Sequence, residues 1–144
     1  MQKLTLICAI LLTSGIAYAE DTTTETCANG GGTVIEGAVA DTNGNKHKYC
    51  LSKINMNMNW WNAYSWCDGQ GRRLFNLTDC KNGVTSYSGK CLELQGMGLP
   101  TGYYTWVATP KSSTHAYFIY PNGSIGNGER SNLSNGYNDL ALCY

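Results

Sequence analysis

The sequence predicts a small α+β domain stapled by disulfides, with antiparallel strands and one main helix. Three observations predict it. Six of the seven cysteines lie beyond the N-terminal segment, an even number in a chain of 144 residues. The stretch Trp60–Gln70 carries apolar residues at helical spacing, and several short aromatic or β-branched runs are bounded by Gly, Pro and Asn.

Met1–Lys3 supplies one positive charge, Leu4–Ile16 an apolar run and Ala17-Tyr18-Ala19 a small-x-small cleavage site, so residues 1–19 read as a secretory signal cut before Glu20. The run falls short of the roughly 20 apolar residues that span a bilayer, which favours a signal over an anchor. Cleavage removes Lys3 and Cys8 and leaves 125 residues, enough for one domain with one core. The expected location is secreted, periplasmic or cell-surface. Cys27, Cys50, Cys67, Cys80, Cys91 and Cys143 remain, and in an exported chain of this size they are expected in disulfides, with a pairing that spacing alone leaves open. Zinc is the competing use. No C-x-x-C pair is present and His47 and His115 stand far from any such pair, so no metal or other cofactor is expected.

Ten acidic residues face nine basic ones after cleavage, a net charge of −1 with no basic run. Nucleic acid is therefore not an expected partner, and neither is direct membrane insertion or attachment to anionic lipid once the signal is gone. Abundant Tyr, Asn and Gly beside scarce charge suit a rigid, hydrogen-bonding recognition surface.

Residues 20–26, "EDTTTET", lack apolar periodicity and read as a flexible leader before a domain over 27–144. Two β-branched runs flank Asn43-Gly44, a dipeptide suited to a hairpin turn. Asp41-Thr-Asn43-Gly-Asn45 is a poor calcium loop, because its sixth position is Lys46 and its twelfth is Ser52. Asn59 is placed to cap a helix over Trp60–Gln70, with Gly71 in the left-handed position after it. Trp60, Ala63, Tyr64 and Cys67 fall on one face, expected to point into the core, while Trp61 and Trp66 lie off that stripe and one of them can be exposed. "LFNLTDC" suits the start of a short second helix. Tyr103–Thr109 and His115–Tyr120 read as strands, the second ended by the turn Pro121-Asn122-Gly123. A Gly/Asn/Ser-rich stretch from Gly123 to Asn138 reads as loop, and "LALCY" as a closing strand.

Trp60-x-x-Ala63-x-x-x-Cys67-x-x-x-Gly71-x-x-Leu74 resembles the first-helix signature of the C-type lectin-like domain, and Ala141-Leu142-Cys143-Tyr144 resembles that family's closing strand. Thr105-Trp106-Val107-Ala108 is similar to its central Trp-containing strand. The resemblance implies the pairings Cys67–Cys143, Cys27–Cys50 and Cys80–Cys91. Sugar-binding members that use calcium carry Glu-Pro-Asn or Gln-Pro-Asp and Trp-Asn-Asp triplets. This chain has neither, and Tyr120-Pro121-Asn122 lacks the acidic residue. It looks like the compact form of the domain found in bacterial adhesins, where calcium-dependent sugar binding is not expected.

Function follows two readings. No G-x-S-x-G, phosphate-binding loop or metal-binding His pair is present, and every remaining cysteine is expected in a crosslink, so no enzyme is expected. His115 has no evident partner and reads as an edge or capping residue. The first reading is a secreted or cell-surface recognition module that binds a glycan or protein without calcium. Its expected ligand residues are Asn122, Asn127, Glu129, Asn132, Tyr137 and Asn138, whose amide, carboxylate and ring groups suit sugar hydroxyls or peptide groups. The second is a structural subunit of a surface appendage with no ligand site of its own. Asn76, Asn122 and Asn132 begin Asn-x-Ser/Thr triplets, acceptors in a eukaryotic secretory route.

Overall fold

Asn59 starts the main helix. Its backbone is extended and its side chain accepts a hydrogen bond from the Asn62 amide at 2.8 Å, which satisfies one of the donors a helix N-terminus leaves open. In the computed structural model, which describes residues 22–82, 84, 89–131 and 138–144, two α-helices and six strands follow this order: α1 (Thr22–Asn29), β1 (Thr33–Ala40), β2 (Lys46–Leu51), α2 (Trp60–Asp68), β3 (Tyr103–Pro110), β4 (His115–Ile119), β5 (Ile125–Glu129) and β6 (Asn138–Cys143). A 3-10 turn over Leu77–Cys80 lies between α2 and β3, where the sequence suggests a short second helix.

Helix α2 stops at Asp68, two residues before the expected end. Its last turn tightens, with the amides of Gln70 and Gly71 reaching back three residues to the carbonyls of Cys67 and Asp68. Gly71 then takes φ +68°, the left-handed conformation expected of it.

The six strands form one sheet in the order β1-β2-β6-β3-β4-β5. Every neighbouring pair is antiparallel except β6 and β3, which run parallel from Tyr103↔Asn138 to Trp106↔Ala141. Beyond Trp106 the chain at Phe75 bridges those two strands. Its amide donates to Leu142 O and its carbonyl accepts from the Ala108 amide, each at 2.8 Å. Apolar residues alternate between the two faces. Trp106, Phe118, Ala141 and Cys143 pack beneath α2, while Val107, Ile119 and Leu142 join Tyr49, Phe75 and Leu94 in a second core on the opposite side. A sheet buried on both faces explains why β3 reads as an almost continuous apolar run.

The β1–β2 hairpin turns where the sequence places it. Asp41 Oδ1 accepts from the amides of Asn43 and Asn45, both at 2.8 Å, and Gly44 adopts φ +82°.

Two segments differ from expectation. Residues 22–26, read as flexible, belong to α1. The helix is held by the Cys27–Cys50 disulfide at its last turn and by Arg72 Nη2, which donates to Thr26 Oγ1 at 3.1 Å, so tertiary anchoring overrides weak local preference. Asn127 and Glu129 lie in β5 rather than in a loop. The Phe118 ring rests on Gly126, where a Cβ would stand 2.2 Å from a ring carbon, so the glycine that weakens the strand signal is what admits the ring.

Three disulfides staple these layers: Cys27–Cys50 joins α1 to β2, Cys67–Cys143 joins α2 to β6, and Cys80–Cys91 closes the segment after the 3-10 turn. These are the pairings the family resemblance implies. No described helix is long and apolar enough to cross a membrane.

Glu93 is fully buried. It accepts from Tyr49 Oη at 2.9 Å and from the Val39 amide at 3.2 Å, and Lys81 Nζ stands 3.7 Å away. A buried charge needs such partners. Gly37 makes room for it, since a Cβ there would lie 1.9 Å from Glu93 Oε1.

This framework makes testable predictions about the disulfides and about alkali. Alkylation of the oxidised, signal-free protein labels no cysteine by mass spectrometry. The loops closed span 76 residues for Cys67–Cys143 and 11 for Cys80–Cys91, so replacing the first pair by serine costs about 2 kcal/mol more in denaturant unfolding than replacing the second. The other prediction concerns alkali. Burial, then the bond to Glu93, raises the Tyr49 pKa far above its ordinary value, and burial followed by a hydrogen bond to Asp139 does the same for Tyr104. Folding holds both protons, so their contribution is present below the unfolded tyrosine pKa of about 10 and is lost as pH rises above it. The thermal midpoint therefore falls from pH 10 upward, and Tyr49→Phe flattens that fall; an unchanged slope in this variant counts against the assignment.

Candidate functional site: an aromatic surface on helix α2

Helix α2 is fixed to the sheet by two indoles that exchange hydrogen bonds with opposite segments. Trp60 Nε1 donates to Val107 O on β3 at 2.8 Å, and Trp106 Nε1, from β3, donates to Met58 O at 2.9 Å, just before the helix. The Trp60 amide also donates to Arg130 O at 3.1 Å, which ties the helix start to the chain leaving β5. Trp60 is buried by these contacts, and the side chains around it take their directions from it.

The buried arc of α2 is Trp60, Ala63 and Cys67. Tyr64, expected in that arc, is 47% exposed, and Trp61 is 52% exposed. At about 100° per residue Tyr64 lies some 65° from the centre of the buried arc, on the side toward Trp61, so the stripe is narrower than the spacing suggests. Trp66 falls on the other side, half-buried, with its indole N–H donating to Gly30 O at 3.1 Å. Of the two off-stripe tryptophans, Trp61 is the exposed one. Its ring meets Trp60 edge-on at 4.7 Å between centroids, and Tyr64 lies 5.3 Å from Trp60, so one buried ring supports two exposed ones.

Arg130 completes this surface. Its guanidinium carbon lies 4.4 Å from the Trp60 ring centroid and 5.5 Å from that of Trp61. Nη2 donates to Ser112 O at 2.7 Å and Nε to His115 O at 3.4 Å. Arg73 pairs with Asp79 and Lys81 with Glu93, whereas Arg130 forms no ion pair among the described residues, so carbonyls and rings, not a carboxylate, hold its charge. Sequence reasoning did not single out Arg130. The available signal was its isolation, for it is the only Lys or Arg after Lys111.

The expected ligand residues separate into two groups. At the β4–β5 turn, Asn122 Oδ1 accepts from the Ser124 amide at 2.9 Å and so helps build the turn, although Asn122 also lines a shallow hollow of about 440 Å³ with Thr101, Gly102, Tyr120 and Pro121. Asn138 opens β6 at that same end, paired with Tyr103. Asn127 lies midway along β5, which spans about 13 Å, and its Oδ1 accepts from Lys111 Nζ at 2.9 Å, while Glu129 ends the strand facing His115 in the ladder. That second end leads directly into Arg130. Asn132 and Tyr137 lie outside the described residues.

His115 Nδ1 is 2.9 Å from Thr114 Oγ1, and among the described residues no acidic side chain is bonded to the ring. Among the described residues no three His, Cys, Asp or Glu side chains converge on a common point. A further cleft of about 370 Å³, lined by Asp41, Asn45, Lys46, His47, Lys81 and Tyr144, lies beside the β1–β2 hairpin, with the His47 and Tyr144 rings stacked at 3.9 Å. Burial lowers the His47 pKa, and Lys81 is already paired with Glu93, so the cleft holds little unbalanced charge. Comparison with protein-family models and with curated proteins finds no match to this chain.

Proposed function

We propose that this chain is an exported recognition module of the C-type lectin-like kind that binds a saccharide without calcium, through the surface formed by Trp61, Tyr64 and Arg130. The observation that carries this reading is the pair of half-exposed rings held over a buried one. Two half-exposed rings side by side offer apolar faces to a ligand, and the support from Trp60 and Arg130 keeps them in place with little ordering left to be lost on binding.

Size favours a saccharide over a protein. Two half-exposed aromatic side chains offer roughly 200 Å², whereas a stable protein interface takes about 800 Å² from each partner. A sugar ring, by contrast, matches one aromatic face, and its hydroxyls find donors in the Arg130 guanidinium beside that face. The link from α2 to β6 through Cys67–Cys143, with the Trp106 strand beside β6, supports the likeness to the lectin-like family. Three disulfides and a signal-like N-terminus support export.

A glycan array tests the reading. Trp61→Ala/Tyr64→Ala is expected to lose at least about tenfold in binding to every glycan the wild type retains, while the melting temperature moves by no more than about 2 °C, because neither ring supports the core. Undiminished binding by this variant rejects the α2 surface as the site.

A further inference from the structure

We infer that the saccharide bound on the α2 surface carries a carboxylate, as in a uronic or other sugar acid, and that Arg130 selects it; the inference rests on the recognition reading above. Arg130 is half-buried against two indoles, and a guanidinium carries five N–H donors. Bonds to Ser112 O and His115 O occupy two of them. Those carbonyls and the Trp60 ring hold the side chain in place, so a ligand bond to its remaining donors loses little rotamer freedom.

The charge has no carboxylate partner among the described residues, in contrast to Arg73 and Lys81. Glu129, its neighbour in the chain, is exposed and forms no ion pair with it. A carboxylate is the group that complements such a fork, and in a partly dry setting the pairing is stronger than between fully hydrated charges. Reach agrees with this. The guanidinium stands over the Trp61 ring at 5.5 Å from its centroid, so a pyranose in contact with that indole brings a ring-borne carboxylate within reach of Arg130. The cleft beside the β1–β2 hairpin is the competing anion site, but Asp41 lines it and Glu93 already neutralises Lys81.

Tryptophan-fluorescence titration of the purified protein tests the inference. The acidic probes are polygalacturonate, alginate, hyaluronan and polysialic acid; the neutral ones are dextran, galactan and mannan; polyglutamate controls for charge without sugar. At least one acidic polysaccharide is expected to bind about tenfold or more tightly than every neutral one and than polyglutamate. Its affinity falls in 0.5 M salt. Arg130→Gln removes the acidic preference, Arg130→Lys keeps part of it, and Trp61→Ala weakens acidic and neutral binding alike. Melting curves show whether each variant is folded, and if Arg130→Gln is not, the Arg130→Lys ratio and the salt dependence decide. Equal binding of acidic and neutral polysaccharides, or an unchanged ratio in a folded Arg130→Gln, overturns the inference and leaves the recognition reading standing. Binding no tighter than that of polyglutamate also overturns it. No binding by any of the seven polysaccharides overturns both.

Discussion

The exchange of hydrogen bonds between Trp60 and Trp106 is the constraint from which the rest of the structure takes its geometry. Each indole N–H ends on a backbone carbonyl of the segment that carries the other ring: Trp60 on Val107 O, Trp106 on Met58 O. Both bonds are buried, so neither donor nor acceptor has water to fall back on, and loss of one partner leaves a carbonyl unsatisfied at a cost of about 1–3 kcal/mol. The bonds fix the height and rotation of the helix over the sheet. The Cys67–Cys143 disulfide then fixes the far end of the helix to β6.

Rotation of the helix is what links fold to function. With Trp60, Ala63 and Cys67 turned inward, Trp61 and Tyr64 face solvent, and Arg130 meets the indoles because its carbonyl accepts the Trp60 amide. A rotation of some tens of degrees would bury Tyr64 and move Trp61 out of reach of the guanidinium. The concentration of three tryptophans and a tyrosine between Asn59 and Cys67 thus serves two purposes. One ring is core, Trp66 braces the helix against Gly30, and two rings are surface.

Much of this was legible in the residues. The cysteine count, the Asn59 cap, the Asn43-Gly44 turn and the aromatic strands each express a local rule strong enough to survive folding. The misses have identifiable causes. Tyr64 stands at i+4 from Trp60, a spacing that permits burial without requiring it, and the buried arc of the helix ends at Trp60, Ala63 and Cys67. Helix α1 owes its order to the Cys27–Cys50 disulfide and to Arg72, long-range anchors that the polar composition of residues 22–26 does not express. Strand β5 hides behind Gly126 and Gly128, which lower strand propensity, and Gly126 is there because the Phe118 ring leaves no room for a Cβ. Arg130 acquires its meaning from rings some 70 positions earlier in the chain, and no local pattern encodes such a pairing. The expected ligand residues have suitable side-chain chemistry, but two of them, Asn122 and Asn127, use it within the protein.

The central claim is that the two indole N–H groups act together to set the helix on the sheet. A double-mutant cycle measures this directly, with Trp60→Phe and Trp106→Phe made singly and together and stability read by denaturant unfolding. Phenylalanine keeps an aromatic ring in each site and removes the donor. The account predicts that each single change costs about 1–3 kcal/mol and that the pair departs from additivity by at least about 0.5 kcal/mol, because both bonds hold the same interface. Single costs near zero, or strict additivity, would contradict it.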